Sequence, residues 1–574
     1  MAPRALGSRA VRASVLLVAT LLLLSLPGPA ECDSRRSAHP SYLLETNAAE
    51  TRLHKRIGLV APTRPAIQYI PGRLSMTNPI TVHIVYYGQW TQSSKTVIEG
   101  FIRGLDQSPF WQISKSYYNY PVGHPDQKTF VTGTVKLGQT VVDNYSLGKM
   151  LNYFNTTNWD DVGTIILSHI KAGRLPSDTN AIYALLTSNA VMEASSCSPG
   201  GRCAFHYSWE AAVSDAKAAN QSSGIDAAAP NYKYLWVGAP SACKGDSLVG
   251  CIARNVFTSP NGDPDLDAVL THLAHEIAEA AQNPVITDTT VAWYFKGGAI
   301  TDEGADQCDY IYGDAIYENG YYYNNEWNGR KYYIQQQWDV NTQLCGPPSN
   351  PVPQDCSTIH KLFPELELGN DCCSSGYSDC ANGKVISLDL SNQNRAGSVA
   401  ALVDKLAANL PHLENIFMEK NPLTGTIPNS ICSFSNLSIL TLYNTSITGT
   451  IPSCLGTLPR LFRLKMHNNP GLTGPIPTSL TKLQYLQTLS LSNCNLGGPV
   501  PDFSKSPNLA VFLLNDNTNL TGSLVSGGFK KFNGQSTAAP AFDFSLPRTC
   551  DLSGTKVCVP KGYVGPSCFV GSSC

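Results

Sequence analysis

The stretch Leu437–Pro452 reads LSILTLYNTSITGTIP, with leucines spaced for a short strand and a Gly-x-Ile-Pro ending. The same pattern begins at four other leucines, which are Leu413, Leu461, Leu486 and Leu509. The five starts are 24, 24, 25 and 23 residues apart, so one short unit recurs along the second half of the chain. Because a single unit cannot bury its own leucines, the recurrence predicts units that stack into a solenoid.

The units resemble the plant-type extracellular leucine-rich repeat, and we assign residues 385–530 to them. After each strand, one position is expected to bond the neighbouring turn of the solenoid. That position is occupied by Asn421, Thr445, Asn469, Cys494 and Asn517. An asparagine amide can make such bonds, and a small thiol can replace it. Cys494 is therefore expected to be a buried ladder thiol rather than a disulfide partner.

Cysteine-rich segments flank the repeats and are expected to cap them, because the ends of a solenoid need a cover. Residues 348–384 combine a Pro-rich linker with three cysteines that resemble the family's paired N-terminal cap: Cys372, Cys373 and Cys380. Residues 531–574 form a tail with four cysteines: Cys550, Cys558, Cys568 and Cys574. We expect disulfides to close this tail, with a connectivity that spacing does not determine.

The outward strand positions of the repeats form the candidate partner surface, since solenoids bind through extended concave faces. The side chains expected there are Phe417, Glu419, Tyr443, Phe462, Arg463, Lys465 and His467. A strip of aromatic and charged groups suits an extracellular protein or a cell-wall glycan. The alternative is a polar face without a dedicated partner. Nothing in the repeats indicates chemistry.

The composition of the 574-residue chain indicates an extracellular protein of more than one domain. Only 15% of its residues are charged, and 18 are cysteines that lack zinc-finger spacing, which favours an oxidising compartment. The formal net charge of -2 supplies no positive field for nucleic acid or anionic membranes. We therefore expect no nucleic-acid partner.

The first 66 residues are expected to precede the folded domains. Residues 1–30 combine arginines, a short apolar run and small residues at a cleavage point, which predicts a signal peptide and no membrane span after its removal. Residues 31–66 are polar and are expected to be either a disordered leader or a pro-segment. Exposed glycosylated loops are predicted by six sequons, which begin at Asn144, Asn155, Asn220, Asn436, Asn444 and Asn519.

Residues 67–347 are predicted to form an α/β domain with a mixed sheet. Runs of β-branched and aromatic residues predict strands at Ile80–Tyr86, Thr129–Val135, Asn180–Thr187 and Tyr232–Val237. A helical pattern runs from Ser94 to Leu105. Six cysteines in an oxidising context are expected to pair rather than react, with Cys197–Cys203 and Cys243–Cys251 as local pairs and Cys308–Cys345 as the remaining bridge.

Six segments of the same region carry a family resemblance: ITVHIVYYG (Ile80–Gly88), NYSLGK (Asn144–Lys149), YALLTS (Tyr183–Ser188), YLWVG (Tyr234–Gly238), PNGD (Pro260–Asp263) and NGRK (Asn328–Lys331). With these segments, the region resembles the Exordium-like, phosphate-induced protein 1 family. The resemblance implies an extracellular protein that is associated in plants with cell-wall-directed growth. It implies no settled enzymatic activity.

One predicted helix of this domain carries the candidate chemistry. Asp263 suits an N-cap and Pro264 a first helical turn, while Pro284 ends the helix after Asn283. One face is apolar, with Leu266, Leu270, Leu273 and Ile277. The opposite face gathers titratable groups, with His272, His275, Glu276 and Glu279.

Residues 275–279 read HEIAE, an HExxE motif. Side chains four positions apart share a helical face, so His275 and Glu279 could reach one zinc ion, with Glu276 as the general base. Glu303 and Asp306, in a segment that resembles a signature of microbial relatives, are the leading candidates for a third ligand. His206 and His272 are the reserve ligands. Plant members generally lack the His-Glu pair, so the resemblance here is to the microbial branch.

Two interpretations of the chain stay open. In the first, a secreted, zincin-like, zinc-dependent hydrolase or peptidase is directed by its repeats to an extracellular or cell-wall partner. In the second, the protein is a non-enzymatic extracellular binding or signalling protein in cell-wall or growth regulation. The second interpretation makes the titratable face of the helix an ordinary solvated surface.

Overall fold

The computed structural model describes residues 66–152, 160–193, 203–218, 226–242, 251, 259–286, 290–295, 303–347, 351–366, 368–503, 506–509, 511–524, 549–559, 569–570 and 572–573. All of these belong to one compact unit, Glu45–Cys574. The predicted signal peptide, nearly all of the leader and the sequons at Asn155 and Asn220 lie outside the described residues. Within the described ranges, no helix is both long and apolar enough to cross a membrane.

A five-stranded mixed sheet forms the centre of the N-terminal domain. Its spatial order is Val135–Asp143, Ile80–Tyr87, Ile182–Thr187, Lys233–Gly238 and Ala204–Ser208. The first four strands are parallel, and the edge strand Ala204–Ser208 runs antiparallel to Lys233–Gly238. The mixed α/β architecture predicted from the sequence is confirmed.

Helices cover both faces of this sheet. They are α1 (Gln92–Leu105), α2 (Pro109–Ser114), α3 (Asp161–Lys171), α4 (Trp209–Ala218) and α5 (Pro264–Gln282). Successive side chains of a strand point to opposite faces. Accordingly, Ile84 and Tyr86 pack in one hydrophobic core with α1, α2 and α5, whereas Val85 and Tyr87 pack in a second core with α3.

One predicted strand of this domain is wrong in its bounds. The run predicted as Thr129–Val135 contains one short strand, Thr129–Phe130, and the first residue of another, Val135–Asp143. The chain bends at Gly133 between them, where the Thr132 hydroxyl accepts a hydrogen bond of 3.1 Å from the amide of Thr134. This local turn outcompetes the continuous strand that β-branched composition favours.

Short antiparallel and parallel pairs complete the domain. They are Ile67–Tyr69 with Trp293–Phe295, Tyr118–Asn119 with Thr129–Phe130, Met150–Leu151 with Met192–Glu193, Asn325–Trp327 with Arg330–Tyr332, and Gln337–Asp339 with Leu344–Gly346. The pair Ile67–Tyr69 and Trp293–Phe295 lies next to the end of α5, because Asn283 at the C-terminus of that helix bonds the backbone of Trp293.

The repeats supply one strand each to a second, larger sheet. In spatial order its strands are Tyr321–Tyr323, Asp314–Glu318, Ser378–Ala381, Lys384–Asp389, Asn415–Phe417, Ile439–Thr441, Arg463–Lys465, Thr488–Ser490, Val511–Leu513, Thr549–Leu552 and Phe569–Val570. Two helices, α6 (Gln354–Leu362) and α7 (Val399–Asn409), pack at its N-terminal end. The hairpin Asp314–Tyr323 comes from the N-terminal domain, so the two domains share this sheet.

A second layer of short strands and 3₁₀ turns follows the repeat strands. The strands are Gly397–Ser398, Leu423–Thr426, Ser446–Thr448, Asn469–Gly474, Cys494–Pro499, Asn519–Thr521, Cys558–Val559 and Ser572–Ser573. The leucines predicted to point inward form one continuous hydrophobic core from Cys356 to Val557. The solenoid prediction is confirmed.

The ladder predicted between turns is present. The Nδ2 amide of Asn469 donates to the Leu442 carbonyl of the preceding repeat at 2.8 Å, and Asn517 does the same to Leu491 at 2.8 Å. Cys494 is a buried free thiol whose sulfur lies 3.4 Å from the Met466 carbonyl oxygen. The prediction for Cys494 is therefore confirmed, and burial raises the pKa of its thiol to about 11.

The disulfides confirm part of the predicted pairing and correct the rest. Cys308–Cys345 forms as expected, and the cap cysteines pair as Cys356–Cys372 and Cys373–Cys380. The expected local pairs Cys197–Cys203 and Cys243–Cys251 are wrong, because Cys203 bonds Cys251 across 48 residues. Chain topology, rather than sequence proximity, places the start of the edge strand beside Cys251. Cys432–Cys454, inside the repeats, was not predicted.

Candidate metal centre

Helix α5 begins and ends where its sequence signals lie. The Asp263 side chain accepts hydrogen bonds from the amides of Asp265 and Leu266, and Pro264 occupies the first turn. These contacts satisfy amides that have no partner inside the helix. At the other end, the amide of Asn283 bonds the Glu279 carbonyl at 2.7 Å before Pro284. The predicted helix is confirmed, so the HExxE residues share one helical face.

The titratable face of α5 is buried. His275, Glu276 and Glu279 are 6%, 5% and 3% exposed. The helix packs against the edge strand Ala204–Ser208, and the segment 303–309 covers it from another side. The solvated-face interpretation of these residues is therefore wrong: burial of several ionisable groups together requires charge partners or a cation.

Glu279 lies at the middle of the cluster. Its Oε1 accepts hydrogen bonds of 3.1 Å from the amides of Ala305 and Asp306. Its Oε2 lies 3.0 Å from His275 Nε2 and 3.7 Å from His206 Nδ1. One oxygen is thus fixed by the backbone while the other faces both imidazoles. Burial raises the pKa of Glu279 to about 7, although the nearby His275 lowers it in part.

His275 is oriented by several groups. The side-chain nitrogen of Gln335 lies 2.6 Å from His275 Nδ1, on the side away from Glu279. Asp306 Oδ1 lies 3.5 Å from His275 Nε2, and its side chain is 43% exposed. Asp309 approaches Nδ1 at 3.5 Å. Burial lowers the pKa of His275, but Glu279 and Asp306 outweigh it and hold the pKa well above its usual value.

His206 enters the cluster from the edge strand. Its Nδ1 lies 3.1 Å from Glu276 Oε2, and its Nε2 lies 3.7 Å from Glu303 Oε1. Burial lowers the pKa of His206, but the surrounding Glu303, Glu276 and Glu279 raise it to about 9. His206, only a reserve ligand in the sequence analysis, is therefore one of the central residues. His206 lies on the strand Ala204–Ser208 beside α5. The local sequence around it gave no strong signal of a ligand.

Glu303 is held at the C-terminal end of α5. Its Oε1 accepts a hydrogen bond of 2.7 Å from Nδ2 of Asn283, which also bonds the Trp293 carbonyl. Burial raises the pKa of Glu303 well above its usual value, and His206 offsets only part of that rise. The structure thus separates the two candidate third ligands: Asp306 lies beside His275, and Glu303 lies beside His206.

His272 does not join this cluster. Its Nε2 lies 3.0 Å from the Cys251 carbonyl oxygen, next to the Cys203–Cys251 disulfide. The two sulfurs are bonded to each other, so they supply no thiolate ligand beside this histidine. His272 lies seven residues before Glu279 on α5, about 10 Å along the helix axis, so its ring lies beside the disulfide and not beside Glu279. The reserve role considered for His272 is not supported by its position.

Two donor sets within the cluster have metal-ligand spacing. One is His275, Glu279 and Asp306, and the other is His206, Glu276 and Glu279. In each set the donor atoms lie within 4.8 Å of one another. Imidazole nitrogen and carboxylate oxygen are both ligands that zinc accepts. The HExxE residues and Asp306 are therefore brought together as the motif requires, and Gln335 and Asp309 are additional neighbours.

The candidate partner residues of the repeats are more covered than expected. Phe417, Tyr443, Arg463 and His467 are buried, and Phe462 is half-buried. They lie outside the leucine core, as predicted, and Tyr443 stacks on His467 with ring centroids 4.3 Å apart. Their role in binding a partner stays a prediction, and half-buried Phe462 is the most accessible of the five.

Four of the six sequons lie within the described residues. Asn144, Asn444 and Asn519 are exposed, whereas Asn436 is half-buried. Exposure is what an attached glycan requires. The modification itself stays a prediction.

Together, the fold and the cluster define a protein with an α/β domain that encloses a histidine-carboxylate centre, followed by a leucine-rich-repeat solenoid. Residues 67–348 match the family described as phosphate-induced protein 1 conserved region, and residues 436–458 and 485–506 match the leucine-rich repeat. The recognition made from the sequence is confirmed: the chain carries an Exordium-like, phosphate-induced protein 1 domain joined to leucine-rich repeats.

Two curated relatives illustrate the similarity of the first domain. Protein EXORDIUM-like 3 of Arabidopsis thaliana is 29% identical over 304 residues, which cover 48% of this chain and 81% of the relative. Protein PHOSPHATE-INDUCED 1 of Nicotiana tabacum is 24% identical over 315 residues, which cover 50% of this chain and 88% of the relative.

Solved structures resemble the repeats. The leucine-rich-repeat ectodomain of the receptor kinase SOBIR1 from Arabidopsis thaliana is 26% identical, covers 24% of this chain and 72% of its own, and has a TM-score of 0.22. The plant peptide hormone receptor RGFR1, solved in complex with RGF2, is 20% identical with a TM-score of 0.24. That match covers 30% of this chain and only 29% of the receptor chain.

Proposed function

We propose that the N-terminal domain is a zinc-dependent hydrolase, a peptidase by class, with a zincin-like centre on α5. The observation that carries this proposal is the position of Glu279, whose Oε1 is fixed by two amides while its Oε2 lies 3.0 Å from His275 Nε2. A catalytic metal site needs ligand atoms that are held in place beforehand, such as this carboxylate oxygen beside an imidazole nitrogen.

His275, Glu279 and Asp306 are the residues that would hold the zinc ion. Catalytic zinc takes three protein ligands of this kind and keeps a fourth position open. Asp306 is the exposed member of the set, so the open position would face solvent and substrate. Bound there, zinc would polarise a carbonyl group and make water more acidic.

Glu276 is the candidate general base. Its carboxylate lies within the same cluster as that of Glu279, and its Oε2 is 3.1 Å from His206 Nδ1. This contact holds the side chain in one orientation, which favours proton transfer at a defined place. Glu276 therefore accepts a proton while His206 positions it.

The repeats serve in this proposal as the part that recruits an extracellular protein or a cell-wall glycan. Support comes from the confirmed solenoid, the disulfides and three exposed sequons. Secretion and glycosylation belong to the same proposal.

One observation favours the alternative, a non-enzymatic extracellular binding or signalling protein. The imidazole of His206 already lies within 3.7 Å of three carboxylates, those of Glu276, Glu279 and Glu303. A protonated His206 would offset part of their charge without any metal. In that case the cluster would stabilise the fold only.

Elemental analysis of the full chain, purified without chelators, separates the two functions. We expect zinc in the wild type, loss of zinc in His275→Ala, and no change in the control His124→Ala, which replaces an exposed histidine. Absence of stoichiometric metal from the wild type would reject the hydrolase.

Hydrolysis of a diverse peptide pool, measured by mass spectrometry, tests the assignment of Glu276 as the general base. Glu276→Gln should retain the cation beside His275 but lose cleavage by roughly a hundredfold or more. Glu326→Gln, at an exposed position, is the matched control. Unchanged cleavage by Glu276→Gln would show that another group is the base.

A further inference from the structure

The two histidines of the centre lie on either side of one carboxylate oxygen. Glu279 Oε2 is 3.0 Å from His275 Nε2 and 3.7 Å from His206 Nδ1. The donor sets His275, Glu279, Asp306 and His206, Glu276, Glu279 therefore have Glu279 in common. A carboxylate between two sets of donors is the arrangement by which one residue bridges two cations.

A second observation points to a ligand on the His206 side. His206 is 6% exposed, and its Nε2 has no hydrogen-bond partner among the described residues. That nitrogen faces Glu303 Oε1 at 3.7 Å. If Nδ1 binds a cation, Nε2 must carry the ring proton, and Glu303 is then the carboxylate toward which this proton points. Metal-bound histidines commonly direct the other ring nitrogen to a carboxylate in this way.

Charge balance also favours a second cation. Glu276, Glu279 and Glu303 are each at most 5% exposed, and Asp306 lies at the edge of the cluster. Metal ligands bind in their deprotonated form, so a loaded centre has ionised carboxylates and neutral imidazoles. The three buried glutamates alone then carry more negative charge than one divalent cation offsets, and an uncompensated buried charge is costly. A second divalent cation would offset the remainder.

We propose that the centre binds two divalent transition-metal cations bridged by Glu279, one with His275 and Asp306 and the other with His206 and Glu276. The composition, two histidines with four carboxylates, is also that of the dinuclear carboxylate proteins. The proposal rests on the hydrolase proposed above and adds a second cation to it. Glu276 would bind through Oε2, which leaves its other oxygen to accept a proton.

Metal stoichiometry of the full chain tests the second cation without any substrate. The protein is stripped with a chelator, dialysed against Zn²⁺ and analysed for bound zinc. We expect two equivalents in the wild type, one in His206→Gln, one in Glu276→Gln and two in His124→Ala. Glu279→Gln should weaken the binding of both cations. Thermal unfolding of the stripped proteins shows whether each variant is folded.

The outcomes separate the two proposals. One equivalent in the wild type, lost in His275→Ala and retained in His206→Gln, would overturn the second cation and leave the hydrolase standing. No bound zinc would overturn both. A second equivalent that neither His206→Gln nor Glu276→Gln removes would lie elsewhere and would also overturn the dinuclear centre. The wild-type count decides even if a variant fails to fold.

Discussion

Tyr322 of the N-terminal domain donates a hydrogen bond of 2.6 Å to the carboxylate of Glu414 in the first repeats. Beside it, the strand Asp314–Glu318 pairs in parallel with the cap strand Ser378–Ala381. The amide of Gly383 also bonds both carboxylate oxygens of Asp314, at 3.0 and 3.1 Å. The domain contact is therefore made of directed backbone and side-chain bonds, which fix orientation better than apolar contact alone.

Removing the Tyr322 hydroxyl should weaken this contact. Leaving a largely buried carboxylate without its hydrogen-bond donor costs about 1 to 2 kcal/mol. We therefore expect Tyr322→Phe to lower the free energy of unfolding by that amount. Hydrogen exchange should accelerate in Asp314–Glu318 and Ser378–Ala381. Tyr321→Phe, one residue away, is the matched control. Equal exchange in both variants would mean that the bond does not support the domain contact.

A buried carboxyl in the N-terminal domain predicts a pH-dependent stability. Asp160 caps α3, accepts hydrogen bonds from the Tyr234 hydroxyl and the Gly163 amide, and is almost fully buried. Burial raises its pKa to about 6, although both hydrogen bonds lower it in part. The folded protein thus binds this proton more tightly than the unfolded chain, whose aspartates titrate near 3.9.

The sign of the effect follows from that difference. The stabilisation is fully present below about pH 4 and is lost as the pH rises through about 6. The loss is on the order of 2 to 3 kcal/mol. Asp160→Asn, which does not titrate, should lose less stability than the wild type between pH 4 and 7 in urea unfolding. Asp126→Asn, at an exposed site, should follow the wild type. Parallel curves for all three proteins would refute the assignment.

We expect the ladder position to tolerate cysteine better than alanine, because Cys494 occupies it in one repeat. Asn469 donates to the carbonyls of Leu442 and Met466, both at 2.8 Å, and accepts from the Thr445 hydroxyl at 2.7 Å. Asn469→Ala leaves these buried groups unpaired and should cost about 2 to 4 kcal/mol. Asn469→Cys copies the residue at Cys494 and should cost less. Urea unfolding followed in the repeats measures both, and equal losses would contradict the ladder role of the thiol.

The Cys203–Cys251 bridge should support the metal centre. It fixes the start of the strand that carries His206 and lies beside the His272 contact with Cys251. We expect the double variant Cys203→Ser/Cys251→Ser to lower zinc affinity several-fold in competition with a chromogenic chelator. Removal of the repeat bridge Cys432–Cys454 is the control and should leave the affinity unchanged. Equal zinc affinities of the two double variants would contradict a supporting role of the Cys203–Cys251 bridge.

Periodic features were predictable because their causes are local. The bounds of α5 follow from Asp263, Pro264 and Pro284, and the ladder place of Cys494 follows from the repeat period. His206 was harder to rank, because its role depends on a strand order that brings residue 206 beside residue 276. The disulfide Cys203–Cys251 and the shared sheet between the domains depend on the same long-range topology. The burial of Tyr443 and Arg463 likewise has no signature in the repeat pattern.

The pairing of Asp314–Glu318 with Ser378–Ala381 gives the hairpin of the first domain the place of an opening turn in the repeat array. The first domain thereby sets the orientation of the repeat array. The number of repeats sets the length of the array. Insertion or loss of a whole repeat would lengthen or shorten the array at its far end and leave its bearing relative to His275 unchanged. The length of the repeat array and its orientation relative to the first domain can therefore vary independently.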